Sequence, residues 1–417
     1  MASEQEQDHS PQAPEPSEPA RRRFLKTAVA SASAVGTAAM PLAALARDPD
    51  TRAQASGSGI PTRAFGNTGQ QVPILHLGTA QRLDPRYDKL MHRSYAAGVT
   101  WFDTALAYGR GSSHRAIANF LTQIDDRKKL MLTSKSGAQR VAGLRAGIDK
   151  ALAELGTDYL DLYLMHAVDD PAMLDRQYLA LGEELKTQGK TRFFGFSCHD
   201  GNVVELLNKA AKTGGIDAIL FRYNFRRYGD LALNRAIDAC HRKGIAMLAM
   251  KTQGAVPKEI ESVVEFRSQD FTLGQAKLKS VWADERIASI VSEMDSVALV
   301  RENVAAARSE VSLTAEESHQ LNQLAAFTAG YACNGCKHLC ENAVSSPLAI
   351  AAPLRYLMYH ECYGKTERAR ELYRELPATA RALSAPEIER DLALASRLCP
   401  QGIDIAGRLR RAREVLA

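Results

Sequence analysis

The sequence predicts an α/β fold class: a closed (β/α)8 barrel followed by a small all-helical C-terminal module that carries cysteines. Three observations predict it. Short apolar runs alternate with amphipathic helical stretches through most of the chain, a pattern of βαβ units and a parallel sheet. Eight such runs fall between Ile74 and Val291, a number and span that suit a closed barrel better than an open sheet. From about Ala332 no further strand pattern occurs, and cysteines and helical stretches take over.

Composition sets the bounds. Of 417 residues, 45% are hydrophobic and 24% charged, the mix of an ordinary globular protein and not of a disordered or multi-span membrane chain. A formal net charge of +5 is mild, and no arginine stripe interleaves with aromatics, so nucleic-acid binding has no support. Seven cysteines is an odd number, which excludes a complete disulfide framework.

The elements follow in order. Residues 1–20 are Pro-, Glu-, Gln- and Ser-rich and cannot build a core. Arg21-Arg22-Arg23-Phe24-Leu25-Lys26 then precedes a small-residue run from Thr27 to Met40, and Ala44-Leu45-Ala46 offers a cleavage site. Basic, apolar and small-residue segments in that order make 1–46 an export signal, too short and alanine-rich for a stable membrane span. The arginine pair resembles a twin-arginine signal, which implies the twin-arginine translocation machinery as partner and the periplasm as destination. Residues 47–60 read as a linker and 61–330 as the barrel. Arg63–Gly69 before Val72 reads as a hairpin plugging the barrel's N-terminal end.

The strand candidates are Ile74–Leu77, Thr100–Phe102, Leu130–Thr133, Leu160–Met165, Arg192–Phe196, Ala218–Phe221, Ala246–Ala249 and Ile287–Val291. The helical stretches include Gln139–Leu155, Pro171–Lys186, Asn202–Lys212 and Asp230–Lys243. Gly98, Gly156, Gly189, Gly215 and Gly244 punctuate returns into strands. Residues 331–417 form the helical module, with helices expected over Pro347–Glu361, Lys365–Glu375 and Ala385–Ser396.

Chemistry in such a barrel collects at the C-terminal strand ends. The second strand ends in Asp103 with Tyr108 in its loop, the third in Lys135 and the fourth in His166. A tyrosine titrates near about 10, and a neighbouring lysine cation is expected to lower that value. Asp103 would hold Lys135 by a charge-assisted hydrogen bond. His166 would orient a carbonyl or relay the proton.

Phe102-Asp103-Thr104-Ala105 with Tyr108-Gly109, Ser134-Lys135, Leu164-Met165-His166, Gly195-Phe196-Ser197 and Glu302-Asn303 together resemble an aldo-keto reductase over about residues 60–330. The resemblance implies a nicotinamide-dependent oxidoreductase acting on a small carbonyl or alcohol. In it Tyr108 is the general acid, Lys135 and Asp103 tune it, and His166 positions the carbonyl. A non-catalytic or electron-transferring scaffold is the alternative. On the cofactor side the resemblance implies Ser197, Lys251 and Asn303 as contacts. It departs at Cys198, where the family has Asn, at Leu220, where it has Gln, and at Glu293, where many members carry a base for a 2′-phosphate. A carboxylate there favours NADH over NADPH, and the choice within NAD(P) stays open. The long loop from Thr252 to Asp270 is expected to cover part of the pocket.

Cys333, Cys336 and Cys340 give C-x2-C-x3-C, and Cys399-Pro400 follows after 58 intervening residues. Such thiolates enclose an iron–sulfur cluster, accept zinc or form disulfides. Leu354–Tyr359, Tyr363-Gly364 and Cys399–Ile405 resemble the ferredoxin-like tail of a subset of aldo-keto reductases. That likeness implies one 4Fe-4S cluster on Cys333, Cys336, Cys340 and Cys399, with Cys362 the alternative ligand. Cluster and export signal together suggest a periplasmic electron carrier as a further partner.

Overall fold

The computed structural model describes residues 59–417 apart from 82, 200, 346 and 382–385. The export signal and nearly all of the linker lie outside the described residues. Eight parallel strands close into a barrel in the order β10-β3-β4-β5-β6-β7-β8-β9. They are β3 (Leu75–Gly78), β4 (Trp101–Asp103), β5 (Met131–Ser136), β6 (Leu160–Met165), β7 (Thr191–Cys198), β8 (Ala218–Arg222), β9 (Ala246–Met250) and β10 (Ile287–Ser292). Every expected strand is present, displaced by at most three residues at an end. β5 and β7 run further than expected, to Ser136 and Cys198, because their polar C-terminal residues still pair with the next strand.

An antiparallel hairpin, β1 (Thr62–Ala64) with β2 (Gln71–Pro73), caps the N-terminal end as expected. Its Phe65 and Val72 are fully buried against Trp101, Leu162, Leu164 and Leu248 inside the barrel. The Asn67 amide donates to the Gly244 carbonyl at 2.9 Å. Gly66 sits at φ +55°, and a Cβ there would lie 2.1 Å from that same carbonyl oxygen. Only glycine permits this approach.

The larger core lies between strands and outer helices, where Leu144, Ile148 and Leu155 of the helix Val141–Leu155 meet Tyr163 and Phe194. Apolar residues spaced three, four and seven apart place that helix on the sheet, and Gly156, at φ +62°, ends it. The expected helix at Pro171–Lys186 is instead a 3-10 turn, Pro171–Leu174, and a separate helix, Arg176–Thr187. Asp175 breaks the run by taking extended backbone.

The tail holds helices at Ala351–Glu361, Thr366–Glu375, Pro386–Leu398 and Ile405–Leu416. The last was not expected, because its arginine-rich sequence shows only Ile405, Leu409, Ala412 and Leu416 to the interior. These helices form their own apolar cluster, in which Leu354, Leu392, Ile405 and Leu409 surround Cys333 and Cys340. Among the described residues no helix is long and apolar enough to cross a membrane.

Candidate active site at the barrel mouth

The four residues expected to carry chemistry meet at one end of the barrel. Pairing of β4 with β5 puts Asp103 opposite Thr133, and β5 continues to Lys135. After β4 the chain keeps following β5: the amides of Thr104 and Leu106 donate to the carbonyls of Thr133 and Lys135. Gly109 and Arg110 then take left-handed backbone at φ 55° and 52°, so the chain turns back over the mouth at Tyr108.

Lys135 Nζ donates to Asp103 Oδ1 at 2.5 Å and to the Thr104 carbonyl at 2.8 Å. It lies 3.4 Å from the Tyr108 hydroxyl and 4.8 Å from that ring's centre. Lys135 and Asp103 are 1% and 2% exposed. Burial pulls the ammonium below its ordinary value and lifts the carboxyl above its own, and the mutual attraction opposes both shifts. His166 follows β6 directly, its ring edge-on to Tyr108 at 5.8 Å. Burial, and then Lys135, push its pKa down to about 3, so the imidazole is neutral at ordinary pH.

One expectation is corrected. The Tyr108 hydroxyl is held well above the ordinary tyrosine value, first by burial, then by Asp103, Glu293 and Tyr359. The neighbouring Lys135 does not make it acidic at rest, because burial and the nearby carboxylates outweigh its cation. The phenol is therefore a fully protonated donor.

The cofactor residues behave unequally. Asn303 is completely buried; its amide donates to Ser292 Oγ at 3.0 Å while its Oδ1 has no partner. A buried acceptor left so is costly unless a ligand supplies the donor, and Asn303 fits a bound dinucleotide. Ser197 Oγ accepts from the Ala167 amide at 2.9 Å, so it steadies the His166 loop, where Ala167 sits at φ 57°. Leu220 packs inside the barrel with Leu162 and Leu248 and offers no amide. Lys251 follows β9, with its ammonium 5.1 Å from the ring centres of both Tyr359 and Tyr363. Glu293 forms an ion pair with Lys365, so the charge expected to repel a 2′-phosphate is matched by a cation from the tail.

Residues that local sequence did not flag complete the mouth. His199 lies 6.3 Å from His166, ring to ring, and burial, Lys251, His166, Arg355 and Arg222 hold it well below the ordinary histidine value. Its only sequence signal was its place just after β7. Tyr359, Tyr363 and Lys365 come from the tail, and no local pattern joins them to strand ends 72 residues or more away. Of the loop expected to cover the pocket, Ala255 packs with Ala332 and Met358 of the tail at the mouth, while Val256 packs on Leu321 and Leu324. The tail adds to that cover.

The cysteine loop docks on the same mouth. The Gly201 amide donates to the Gly335 carbonyl at 3.1 Å, Arg222 Nη1 to the Cys333 carbonyl at 2.5 Å, and Lys337 pairs with Asp169 at 2.7 Å. Cys333, Cys336, Cys340 and Cys399 are all free thiols. Cys333 and Cys340 share one apolar cluster, with Cys399 packed against it, and Cys336 feels both Cys399 and the cationic Arg227 and Arg222. Cys362 belongs to a different cluster, with Met358 and Ala332. Among the described residues no group of three or more His, Cys, Asp or Glu is arrayed to hold a metal ion. The donor chemistry suits a thiolate-bound group, while the side chains as they stand do not form a coordination shell.

Residues 76–259 match the aldo/keto reductase family model. The chain is 25% identical to an L-galactose dehydrogenase of Arabidopsis thaliana over 59% of this chain and 88% of that protein. An aldo-keto reductase of Gibberella moniliformis is 27% identical over 40% of this chain, and the match spans only 50% of that relative's length. An aldo-keto reductase of Bacillus halodurans in its holo form superposes with a TM-score of 0.54 at 22% identity, over 64% of this chain and 96% of that one, a likeness of fold. Residues 76–259, the greater part of the barrel, are thus an aldo/keto reductase family domain, and the class that family defines is that of NAD(P)-dependent oxidoreductases.

Proposed function

We propose that the protein is an exported oxidoreductase that moves hydride between a nicotinamide dinucleotide and a small carbonyl or alcohol. The observation that carries this reading is the buried Lys135–Asp103 pair set 3.4 Å from the Tyr108 hydroxyl, beside a neutral His166. A bound nicotinamide supplies the hydride; the chain's own residues manage the proton and the fit. Tyr108, kept protonated, gives its proton to the carbonyl oxygen as charge develops there. The Lys135 cation then stabilises the phenolate in a setting of low dielectric. Asp103 holds that cation against its preference to leave the interior. His166 presents an uncharged ring nitrogen that orients the carbonyl without offering a competing acid. In the alcohol direction the same groups run in reverse.

Asn303 and Ser197 are the dinucleotide's contacts in this reading, and Lys365 offsets the bias of Glu293 against NADPH. Calorimetric titration of the full-length protein with NADPH and NADH tests it. Absence of binding by either would sink the proposal.

The finer parts rest on sequence. Arg21 to Ala46 support export by the twin-arginine route to the periplasm. The spacing of Cys333, Cys336, Cys340 and Cys399 in the sequence supports a 4Fe-4S cluster, a group whose assembly can supply folding energy to a small module. Its role here is to clasp the tail: nicotinamide gives up electrons in pairs, as hydride, and a single cluster of this kind takes one. Iron and sulfide analysis of anaerobically purified protein, with its optical spectrum, decides the matter. Protein without iron would remove the cluster and leave the thiols as ordinary tail residues.

A further inference from the structure

Beside the proposed catalytic groups lies a crevice whose lining holds three cations and no carboxylate. Arg222, Arg226 and Lys251 line it from the barrel, and Asn334, Met358 and Tyr363 from the tail. It encloses about 260 Å³ of empty space counting its open side.

The cations are not there to pair with each other's neighbours. Among the described residues no carboxylate forms an ion pair with any of the three, whereas Lys135, Lys337 and Lys365 all have one. Arg226 spends both terminal nitrogens on neutral acceptors, the carbonyls of Ala325 and Ala255 and the Thr328 hydroxyl. Arg222 binds the Cys333 carbonyl, and its buried Nε has no partner. Lys251 Nζ lies over the faces of Tyr359 and Tyr363, and its backbone sits at φ 58°. A non-glycine residue held there is strained, and such strain gathers at ligand sites. All three are half-buried, and a partly desolvated cation with no carboxylate beside it is stabilised by a bound anion.

The crevice also adjoins the reacting end. His199 feels Lys251 and Arg222, and its ring leads through His166 to Tyr108 at ring spacings of 6.3 and 5.8 Å. We infer that the crevice is an oxyanion subsite, taking the carboxylate or phosphate of an anionic carbonyl substrate through Arg222 and Lys251. The inference rests on the reading given under the proposed function and names the substrate class for it.

Inorganic phosphate, titrated calorimetrically into the full-length protein, is the probe, with Arg222→Gln and Lys251→Met as variants. Lys251→Met keeps an alkyl chain between the two tyrosines, so one variant survives even if loss of the Cys333 contact unsettles the other. Phosphate should bind the wild type, tenfold or more weakly in Lys251→Met, and compete with 4-carboxybenzaldehyde. The ratio of kcat/KM for 4-carboxybenzaldehyde to that for benzaldehyde should fall about tenfold in the same variant, the loss of one charge-assisted contact. No phosphate binding at millimolar concentration, equal binding by Lys251→Met, or displacement of phosphate by dinucleotide but not by 4-carboxybenzaldehyde would each overturn the inference. The last outcome would give the cations to the cofactor. Tyr108→Phe separates the two levels: it should bind phosphate like the wild type while turning over neither aldehyde. Turnover by Tyr108→Phe would defeat the catalytic reading and leave the phosphate result to stand alone.

Discussion

The two sides of the mouth are built differently. On the barrel side, Asp103, Lys135 and His166 hang from hydrogen-bonded strands, and even the loop to Tyr108 is pinned by backbone bonds to β5. On the tail side, the contacts are single side chains: Lys365 with Glu293, Tyr359 and Tyr363 over Lys251, Arg222 on one carbonyl. Register makes the first side hard to move without unfolding the sheet. The second side can be loosened one residue at a time, which suits a part that adjusts which ligand is admitted.

The largest expected effect tests the rigid side. Tyr108→Phe should lower kcat by about 10²–10⁴-fold, the usual share of general acid catalysis, with an unchanged thermal unfolding curve. Near-normal kcat would remove Tyr108 from the chemistry.

Lys135→Met should cost stability as well as rate. It leaves Asp103 buried with no counter-charge, and breaking such a pair typically costs about 3–5 kcal/mol, read as a lower urea midpoint. If the midpoint does not move, the pair is dispensable to the barrel and the contrast between the two sides fails.

Acid should act through His166. Its folded pKa, about 3, lies below the ordinary 6.5, so the unfolded chain binds a proton there that the folded chain refuses. Stability is then full above about pH 6.5 and declines as pH falls toward about 3. His166→Gln should make that part of the pH–stability curve less steep, the rest of the slope coming from His76, His114 and His199, which burial also holds low, and an unaltered slope would contradict the burial argument.

The tail side should give the smallest effects. Glu293→Lys faces Lys365 with a like charge and should raise NADPH binding relative to NADH, measured as a ratio of dissociation constants. An unmoved ratio would put residue 293 outside the phosphate's reach. Lys365→Ala removes a partly exposed ion pair and should cost no more than about 1 kcal/mol of stability. A much larger loss would show that the tail is as firmly held as the barrel.

The sequence by itself determined the barrel and its proton-transfer set. Strand periodicity is local, so Leu160–Met165 could be read to the residue, and polar residues closing consecutive strands announce Asp103, Lys135 and His166 once the barrel is assumed. The hairpin plug was legible for the same reason, from the glycine-bounded turn Gly66-Asn67-Thr68-Gly69 before Val72. Only the tertiary structure decided what faces these groups. Lys365 beside Glu293, the tyrosines over Lys251 and the tail's share of the crevice lining join segments 72 to 141 residues apart, and no short-range pattern encodes such meetings. The acidity of Tyr108 was misjudged on the same ground. Proximity of a lysine can be guessed from strand order, but desolvation and the nearness of Glu293 and Tyr359 depend on how the folded chain closes over the mouth.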